Sequence, residues 1–504
     1  MVAPRNREVG CRELLRKVVL TSARRATNDM QVKATKTNSW HRGASPSIRM
    51  SRRIDVVDPL LCGLDVGTTS VKAVLMTADG TEVAHGRAPT AWTETSAGVE
   101  ADPYAIAEAA TRALRGALDG CPGATVSALG VASMAEAGVL VTAQDTPLAP
   151  VIAWHDSRDR AQLENLVEEL GGAQFSLRTG LPLWTQWSLT KHRWLYENAP
   201  QTRDAVRRYN IAEWIVRQFG GRPASELSLA SRTGWLDLES ATPWDAALEW
   251  SRAPKTLLGE LVTAGTPLGQ VRSDHPFGEI RGAILTVAGH DHQAAVIGAG
   301  AFGDNDELDS CGTAEALLRT IPAGLPDSAI TALTAAGVTI GWHAVQDRWC
   351  VLGATQGGLI LQQVMAHLGA DHSELAKLDR AALEAVPAAS KVTIAEDGVP
   401  PRYSGSAAAG DVWRAAVETV TAEASALSDA ISEATGPRGE LVVTGGWCNS
   451  AALMRAKAAV LGRLWRTGAA EAGARGAALL AGRANGTFAS YAEMPRAPRT
   501  VVTS

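Results

Sequence analysis

The chain has 504 residues, of which 46% are hydrophobic and 20% charged, and a net charge of −5. This length is too great for one hydrophobic core, so we expect at least two domains, and the composition excludes a largely disordered chain. The charge predicts no nucleic acid partner, the scattered cysteines indicate a cytoplasmic protein without zinc or disulfides, and no apolar run approaches the roughly 20 residues of a membrane span.

Residues 1–58 form a basic extension that differs from the rest of the chain. They contain many Arg and Lys residues, few acids and no strong periodicity. Such a composition is typical of a transit peptide, but it also fits a flexible tail, or a translation start assigned too early with Met50 as the true one. We expect this extension to lie outside the fold.

Two apolar strands separated by a tight turn open the folded region. The sequence predicts strands over Leu60–Val66 and Ser70–Met76, around a Gly-Thr-Thr turn at residues 67–69. Such a turn gathers backbone N–H groups that suit a phosphate anion, and Asp65 before it suits Mg²⁺ bound through water. The alternative is a polar hairpin turn without a ligand. A third strand, Thr81–Arg87, follows an Asp-Gly hairpin signal.

A helix and further strands complete the first half. The periodicity predicts an amphipathic helix over Pro103–Leu118 and a strand over Ser127–Ser133, which indicates an α/β domain with a mixed sheet. A later hydrophobic strand, Ala283–Ala288, gives way to small helix-forming residues after Gly289. This pattern places Asp291 at or near a helix N-terminus, where it is either a helix cap or a general base.

The opening pattern recurs in the second half. Residues 307–318 again give a strand, a Gly-Thr turn and a strand, with Leu-Asp three or four positions before Gly-Thr. A duplicated strand–turn–strand indicates two similar lobes that present their turns to a shared cleft. Chance similarity of two hairpins is the alternative.

Several segments, in this order and spacing, resemble the FGGY carbohydrate kinases of the actin-like, hexokinase and heat-shock ATPase superfamily. The matching stretch runs from about residue 60 to about residue 488. The segments are LDVGTTSVKAVL at 64–75, GVEADP at 98–103, WHDSR at 154–158, ASRTGWLD at 230–237, GHDH at 289–292, SCGT at 310–313, TGG at 444–446 with Asn449, and GARGAA at 473–478.

The resemblance implies a fold and a reaction. The expected fold is α/β, with two actin-like (ribonuclease H-like) lobes, mixed sheets and an interdomain cleft. The implied division is 59–300 for the sugar- and phosphate-binding lobe, 301–495 for the ATP-binding lobe and 496–504 for a tail. The expected reaction is ATP- and Mg²⁺-dependent phosphorylation of a sugar hydroxyl, and a homodimer is left open.

The resemblance also assigns roles to individual residues. Asp291 is implied as the general base, and Asp65 as the residue that orders Mg²⁺ through water. The implied ATP and phosphate contacts are Asp65, Gly67, Thr68, Thr69, Gly312, Thr313, Gly445, Gly446 and Asn449. The implied substrate contacts are Glu136, Trp154, Asp156, Arg158 and His292.

The chain departs from the family at residues that are expected to contact the substrate. Xylulose kinases carry a Met-His pair at the position where this chain reads Met134-Ala135-Glu136. A glutamate there resembles the glycerol kinases, which place an Arg-Glu pair, but Ala135 supplies no arginine. Neither substrate assignment carries over cleanly, and a ketose such as xylulose is the first expectation for the substrate. A glycerol-type polyol is the second, and a nucleotide-binding regulatory protein without transferase activity is the rival.

Overall fold

The computed structural model describes residues 58–394 and 401–503. The basic extension predicted over residues 1–58, with Met50, therefore lies outside the described residues apart from its last position. Within the described ranges, no helix is long and apolar enough to cross a membrane.

From residue 58 onwards, the described first half contains a five-stranded sheet, a three-stranded sheet, three strand pairs and eight α-helices. The strands are β1 (Leu60–Val66), β2 (Ser70–Met76), β3 (Glu82–Pro89), β4 (Thr93–Thr95), β5 (Gly98–Ala101), β6 (Val126–Ser133), β7 (Gly138–Val141), β8 (Val151–Ile152), β9 (Arg207–Asn210), β10 (Ser225–Glu226), β11 (Leu236–Asp237), β12 (Thr242–Pro243), β13 (Leu261–Val262) and β14 (Ile284–His290). The helices are α1 (Pro103–Asp119), α2 (Arg160–Leu166), α3 (Gly172–Thr179), α4 (Ser188–Asn198), α5 (Ile211–Phe219), α6 (Leu227–Ala230), α7 (Asp245–Trp250) and α8 (Asp291–Ala299).

The five-stranded sheet has the order β14-β6-β1-β2-β3 and forms the core of what we call the first lobe. Strands β1, β2 and β3 are antiparallel, whereas β6 and β14 run parallel to β1. All seven residues of β1 are buried, as expected for a central strand covered on both faces. The predicted bounds of β1 and β2 are confirmed, and those of β3, α1, β6 and β14 differ by one or two residues.

The second half contains a seven-stranded sheet, one further strand pair and six α-helices within the described residues. The strands are β15 (Glu307–Cys311), β16 (Glu315–Pro322), β17 (Thr339–Trp342), β18 (Arg348–Thr355), β19 (Ser390–Thr393), β20 (Arg402–Gly405), β21 (Leu441–Thr444), β22 (Leu464–Thr467) and β23 (Arg499–Val502). The helices are α9 (Asp327–Ala335), α10 (Gly357–His367), α11 (Leu375–Glu384), α12 (Ala409–Thr435), α13 (Ala451–Leu461) and α14 (Ala472–Ala484).

The seven-stranded sheet, the core of the second lobe, repeats the topology of the first sheet. Its order is β17-β18-β16-β15-β21-β22-β23. Strands β15, β16 and β18 are antiparallel, and β21 and β22 run parallel to β15, as β6 and β14 do to β1. Strands β17 and β23 are additions at the two edges. The same five-strand order in both lobes confirms the predicted duplication.

Helices α8 and α14 cross each other between the lobes, and each packs on the sheet of the other lobe. Helix α14 packs on the first sheet, where a Cβ on Gly63 of β1 would clash with its backbone at Ala474. Helix α8 packs against the second sheet through Val296 and Ala299. The two helices touch backbone to backbone, since a Cβ on Gly476 would clash with the carbonyl of Ala294. The predicted division at residues 300/301 stays a prediction.

Candidate active site

The turn between β1 and β2 is held from outside by two tryptophans. Trp154 donates from Nε1 to the hydroxyl of Thr68 over 2.9 Å, and Trp92 donates from Nε1 to its carbonyl oxygen over 2.8 Å. Thr69 is exposed, and Gly67 is half-buried. Among the described residues, the amides of Thr68 and Thr69 donate to no backbone carbonyl. The turn therefore has a fixed shape and free donors, as a phosphate site requires.

Gly312 and Thr313 form the corresponding turn between β15 and β16. Thr313 is exposed and Gly312 is half-buried. The carbonyl of Gly312 lies against the start of α10, where a Cβ on Gly358 would clash with it. Glycine at 358 thus lets α10 pack against the inner side of the Gly312–Thr313 turn. The outer side of the turn stays exposed to solvent.

A third turn, after β21, meets the second one. Gly445 has a φ of 101°, and a Cβ there would lie 2.5 Å from the carbonyl oxygen of Cys311, so glycine is required. Gly446 and Asn449 follow on the exposed side. The Oδ1 atom of Asn449 accepts a hydrogen bond from Arg466 over 2.7 Å. The structure therefore brings the two predicted nucleotide segments of the second lobe together.

A buried ionic cluster lies directly beneath the Gly312–Thr313 turn. The ammonium of Lys457 lies 2.5 Å from Oδ2 of Asp309 and also contacts Glu315, and all three side chains are buried. Asp309, Cys311 and Glu315 are close enough together to hold a metal ion. However, the ammonium of Lys457 already supplies a cation to both carboxylates. We therefore interpret this group as an ion-pair network.

Asp291 is the first residue of α8, which confirms its predicted position at a helix N-terminus. Its side chain is 19% exposed, and Oδ1 lies 3.2 Å from Nε2 of His290. The same oxygen accepts the backbone amide of His292 over 2.7 Å. Burial, followed by the charge of Arg232, holds the pKa of His290 well below its ordinary value, so this imidazole is neutral. Asp291 is thus positioned by the amide of His292 and by contact with a neutral imidazole, and it stays accessible.

Asp65, at the end of β1, is an electrostatic neighbour of Asp291. Burial raises the pKa of Asp65, the ammonium of Lys72 lowers it and the carboxylate of Asp291 raises it, to about 6 in all. Lys72 lies 3.4 Å from Oδ2 of Asp65 and 3.3 Å from Oε2 of Glu471. The Oδ1 atom of Asp65 is buried without a partner. A buried carboxylate with an unsatisfied oxygen, in the field of a second carboxylate, fits a hard divalent cation.

Glu136, a predicted substrate contact, is buried and held in a left-handed conformation with a φ of 65°. Its Oε1 atom accepts from Nε of Arg232 over 2.6 Å and from Gln186 over 3.1 Å. Its carbonyl oxygen accepts from Arg208 over 2.6 Å and from Ser188 over 2.7 Å. This contact set fixes both the backbone and the carboxylate of Glu136.

Asp156 and Arg158, two further predicted substrate contacts, bind one another. Arg158 donates from Nε to Oδ1 and from Nη2 to Oδ2 of Asp156, each over 2.9 Å, and from Nη1 to Glu100 over 2.5 Å. The amide of Val99 donates to Oδ2 of Asp156 over 2.7 Å. Burial raises the pKa of Asp156, but these donors outweigh it and lower that pKa overall. Of the alternatives of binding hydroxyls or each other, the structure shows the second.

Two further predicted substrate contacts are Trp154 and His292. Trp154 is half-buried, and its indole nitrogen is occupied by Thr68, so only its ring face is left for a substrate. His292 is half-buried, with its ring 5.3 Å from that of His290. A small cavity of about 20 Å³ lies beside Glu136 and is lined by Ser188, Lys191 and other residues. That space holds about one water molecule.

Sequence reasoning gave no role to several residues of this site. Lys72 stands opposite Asp65 in the register of β1 and β2, so the predicted hairpin already contained the signal for this pair. Arg232 lies in the family-like segment at 230–237, but nothing local pairs it with Glu136 or pairs Lys457 with Asp309, because these contacts span 96 and 148 residues in sequence. Such contacts follow only from the packed structure.

Comparison with known proteins gives consistent matches over both lobes. Residues 60–298 match the model of the FGGY family of carbohydrate kinases, N-terminal domain, and residues 398–485 match the model of the C-terminal domain. A xylulose kinase of Streptomyces rubiginosus is 30% identical over 321 residues, which cover 62% of this chain and 64% of that protein. A glycerol kinase of Acidovorax sp. (strain JS42) is 27% identical over 479 residues, covering 86% and 92% of the two chains.

A solved structure shows the same fold. The crystal structure of a xyloylose kinase from Brucella ovis superposes with a TM-score of 0.79 at 20% sequence identity, over 88% of this chain and 94% of that one. This similarity confirms the predicted two-lobed, actin-like α/β fold.

Proposed function

The chain belongs to the FGGY family of carbohydrate kinases, and we propose that it transfers the γ-phosphoryl group of ATP to a hydroxyl of a sugar or polyol. In this proposal Asp291 is the general base that takes the proton of the attacking hydroxyl. The observation that carries the proposal is the position of Asp291. It lies at the start of α8, partly exposed, in contact with His290 and His292, and its charge raises the pKa of Asp65.

The proposed donor site uses the three turns. The Gly67–Thr69 turn of the first lobe and the Gly312–Thr313 turn of the second would hold the phosphates through backbone and hydroxyl groups. Gly445, Gly446 and Asn449 would line the adenosine. Asp65 would hold Mg²⁺ through water, and bound Mg²⁺ would neutralise charge on the triphosphate. Lys72, fixed between Asp65 and Glu471, adds a positive charge beside that site.

The proposed acceptor is a ketose such as xylulose or a related pentulose or hexulose. Glu136 supports an acceptor site in the first lobe, because its Oε2 atom accepts no hydrogen bond from the described residues, while Oε1 is held by Arg232. A glycerol-type polyol is the second candidate. The guanidinium of Arg232 favours it, since it supplies beside Glu136 the positive charge that Ala135 lacks. The predicted cytoplasmic location and homodimer stay predictions.

A coupled ADP-release assay with a panel of ketoses, aldoses and polyols tests this function. We expect acceptor-dependent ADP release that requires ATP and Mg²⁺. Asp291→Asn should lower kcat by about 10³-fold or more, while binding of ATP, measured by calorimetry, stays intact. Full acceptor-dependent turnover in Asp291→Asn would contradict the mechanism. ATP binding without turnover on any acceptor would favour the regulatory alternative.

A further inference from the structure

Arg232 joins the predicted acceptor carboxylate to the other lobe. Its Nε atom donates to Oε1 of Glu136 over 2.6 Å, and its Nη1 atom donates to the hydroxyl of Thr339 over 2.9 Å. Thr339 is the first residue of β17, an edge strand of the second sheet. The side chains of Arg232 and Glu136 are 8% and 4% exposed, so both hydrogen bonds are sheltered from water.

Arg232 is held in one orientation. Its guanidinium lies over the ring of Trp187, 5.5 Å from the ring centroid, and this cation–π contact stabilises the orientation of the group. Its charge also contributes, after burial, to the lowered pKa of His290, the residue before Asp291. Arg232 thus acts electrostatically on the proposed catalytic segment while it binds Glu136. A shift of its guanidinium would move the carboxylate that is proposed to bind the acceptor.

Strand β17 is fixed against the first half of the chain along its length. The amide of Ile340 donates to the carbonyl of Gly180 over 2.8 Å, and that of Trp342 donates to the hydroxyl of Ser231 over 3.0 Å. The ring nitrogen of Trp342 donates to the carbonyl of Leu238 over 3.0 Å. The position of Thr339 relative to Arg232 is therefore set by a strand of the second lobe that is itself docked on the first half.

We propose that Thr339 is a positioning residue for the acceptor site, acting through Arg232 on Glu136. The inference rests on the proposed function, because it assigns to the second lobe a part in the recognition of the acceptor. The hydroxyl of Thr339 accepts one N–H of Arg232, which leaves Nε to donate to Oε1 of Glu136. Without that hydroxyl, a buried N–H loses its acceptor, and the guanidinium reorients to satisfy it.

Thr339→Val tests this assignment, because valine keeps the β-branched shape that suits a strand and removes only the hydroxyl. We expect the KM for the best acceptor to rise about tenfold, in line with the loss of one hydrogen bond to a charged group, while the KM for ATP stays within about twofold. Thr339→Ser restores the hydroxyl and should return the acceptor KM towards the wild-type value. Thr334→Val is the matched control, since it removes another buried hydroxyl of the second lobe, one that donates to Ile330.

A double-mutant cycle with Glu136→Gln separates positioning from a general structural effect. If Thr339 acts through Glu136, Thr339→Val should change the acceptor KM much less in the Glu136→Gln background. An equal change in both backgrounds, an equal rise in the ATP KM, or an unchanged acceptor KM would overturn the inference and leave the proposed function standing. Absence of acceptor-dependent turnover in the wild-type protein would overturn both.

Discussion

The hydroxyl of Ser228 accepts a hydrogen bond from the backbone amide of His290, the residue directly before Asp291, over 3.1 Å. The same hydroxyl donates to Oε2 of the buried Glu226 over 2.6 Å. Gly289, with a φ of 86°, lets the backbone approach this closely, since a Cβ there would lie 2.5 Å from the Ser228 hydroxyl. The backbone directly before Asp291 is therefore held in place by a hydrogen bond to Ser228.

Ser228→Ala removes this hydrogen bond, and we expect a loss of turnover rather than of binding. One buried hydrogen bond is worth about 1 kcal/mol, so kcat should fall about five- to tenfold as the start of α8 loosens. The KM values for ATP and acceptor should stay within about twofold, as measured by steady-state kinetics. Ser251→Ala is the control, because that buried serine contacts the ring nitrogen of Trp235 instead. An unchanged kcat in Ser228→Ala would contradict this role.

Glu226 should make the stability of the protein depend on pH. Burial raises its pKa from the ordinary 4.5 to about 7, and its Oε1 atom has no partner. The folded state therefore keeps the proton up to about pH 7, whereas the unfolded state releases it near pH 4.5. The stabilisation is complete below pH 4.5 and is lost as the pH rises through 7, by up to about 3 kcal/mol.

Glu226→Gln, which keeps the side chain neutral, should remove this dependence. Melting temperatures measured from about pH 5 to about pH 8 should fall less in the variant than in the wild type, so that the variant gains relative stability at high pH. The exposed Glu249→Gln serves as the control and should follow the wild-type profile. A constant difference between Glu226→Gln and wild type across this range would show that Glu226 does not titrate there.

The local elements of this protein follow from its sequence, but the connections between distant segments do not. The bounds of β1 and β2 and the start of α8 at Asp291 are set by apolar alternation, glycine and turn chemistry within a few residues. By contrast, Asp156 and Arg158 are typical of a sugar site by residue type, yet they form an ion pair with each other. Whether a polar side chain faces a ligand or a neighbour depends on packing that no short segment determines.

The crossing of α8 and α14 predicts that two glycine-to-alanine changes will have opposite effects. Gly476→Ala would place a Cβ against the carbonyl of Ala294, so the two helices must separate, at a cost of about 2–3 kcal/mol or more. Gly116→Ala, in α1, meets nothing closer than 3.5 Å, and it should be neutral or stabilise by about 0.5–1 kcal/mol. Chemical denaturation measures both. Equal stability of the two variants would contradict the close crossing.

Lys457 predicts how the buried cluster beneath the Gly312–Thr313 turn contributes to stability. Lys457→Met removes the cation that Asp309 and Glu315 share, and it leaves their charge buried without compensation. Breaking a buried pair in this way costs about 3–5 kcal/mol, which a large fall in melting temperature would report. The exposed Lys255, 3.2 Å from Asp245, is the matched control, and Lys255→Met should cost less than about 1 kcal/mol.

A charge-balanced variant distinguishes a lost ion pair from lost packing at Lys457. If uncompensated charge causes the instability, then adding Asp309→Asn and Glu315→Gln to Lys457→Met should recover most of the lost stability, because no buried charge is left without a partner. The amide at 315 can still accept from Thr355, which donates to Glu315 over 2.9 Å. If the triple variant melted as low as Lys457→Met alone, the packing of the lysine stem rather than its charge would be what supports the turn.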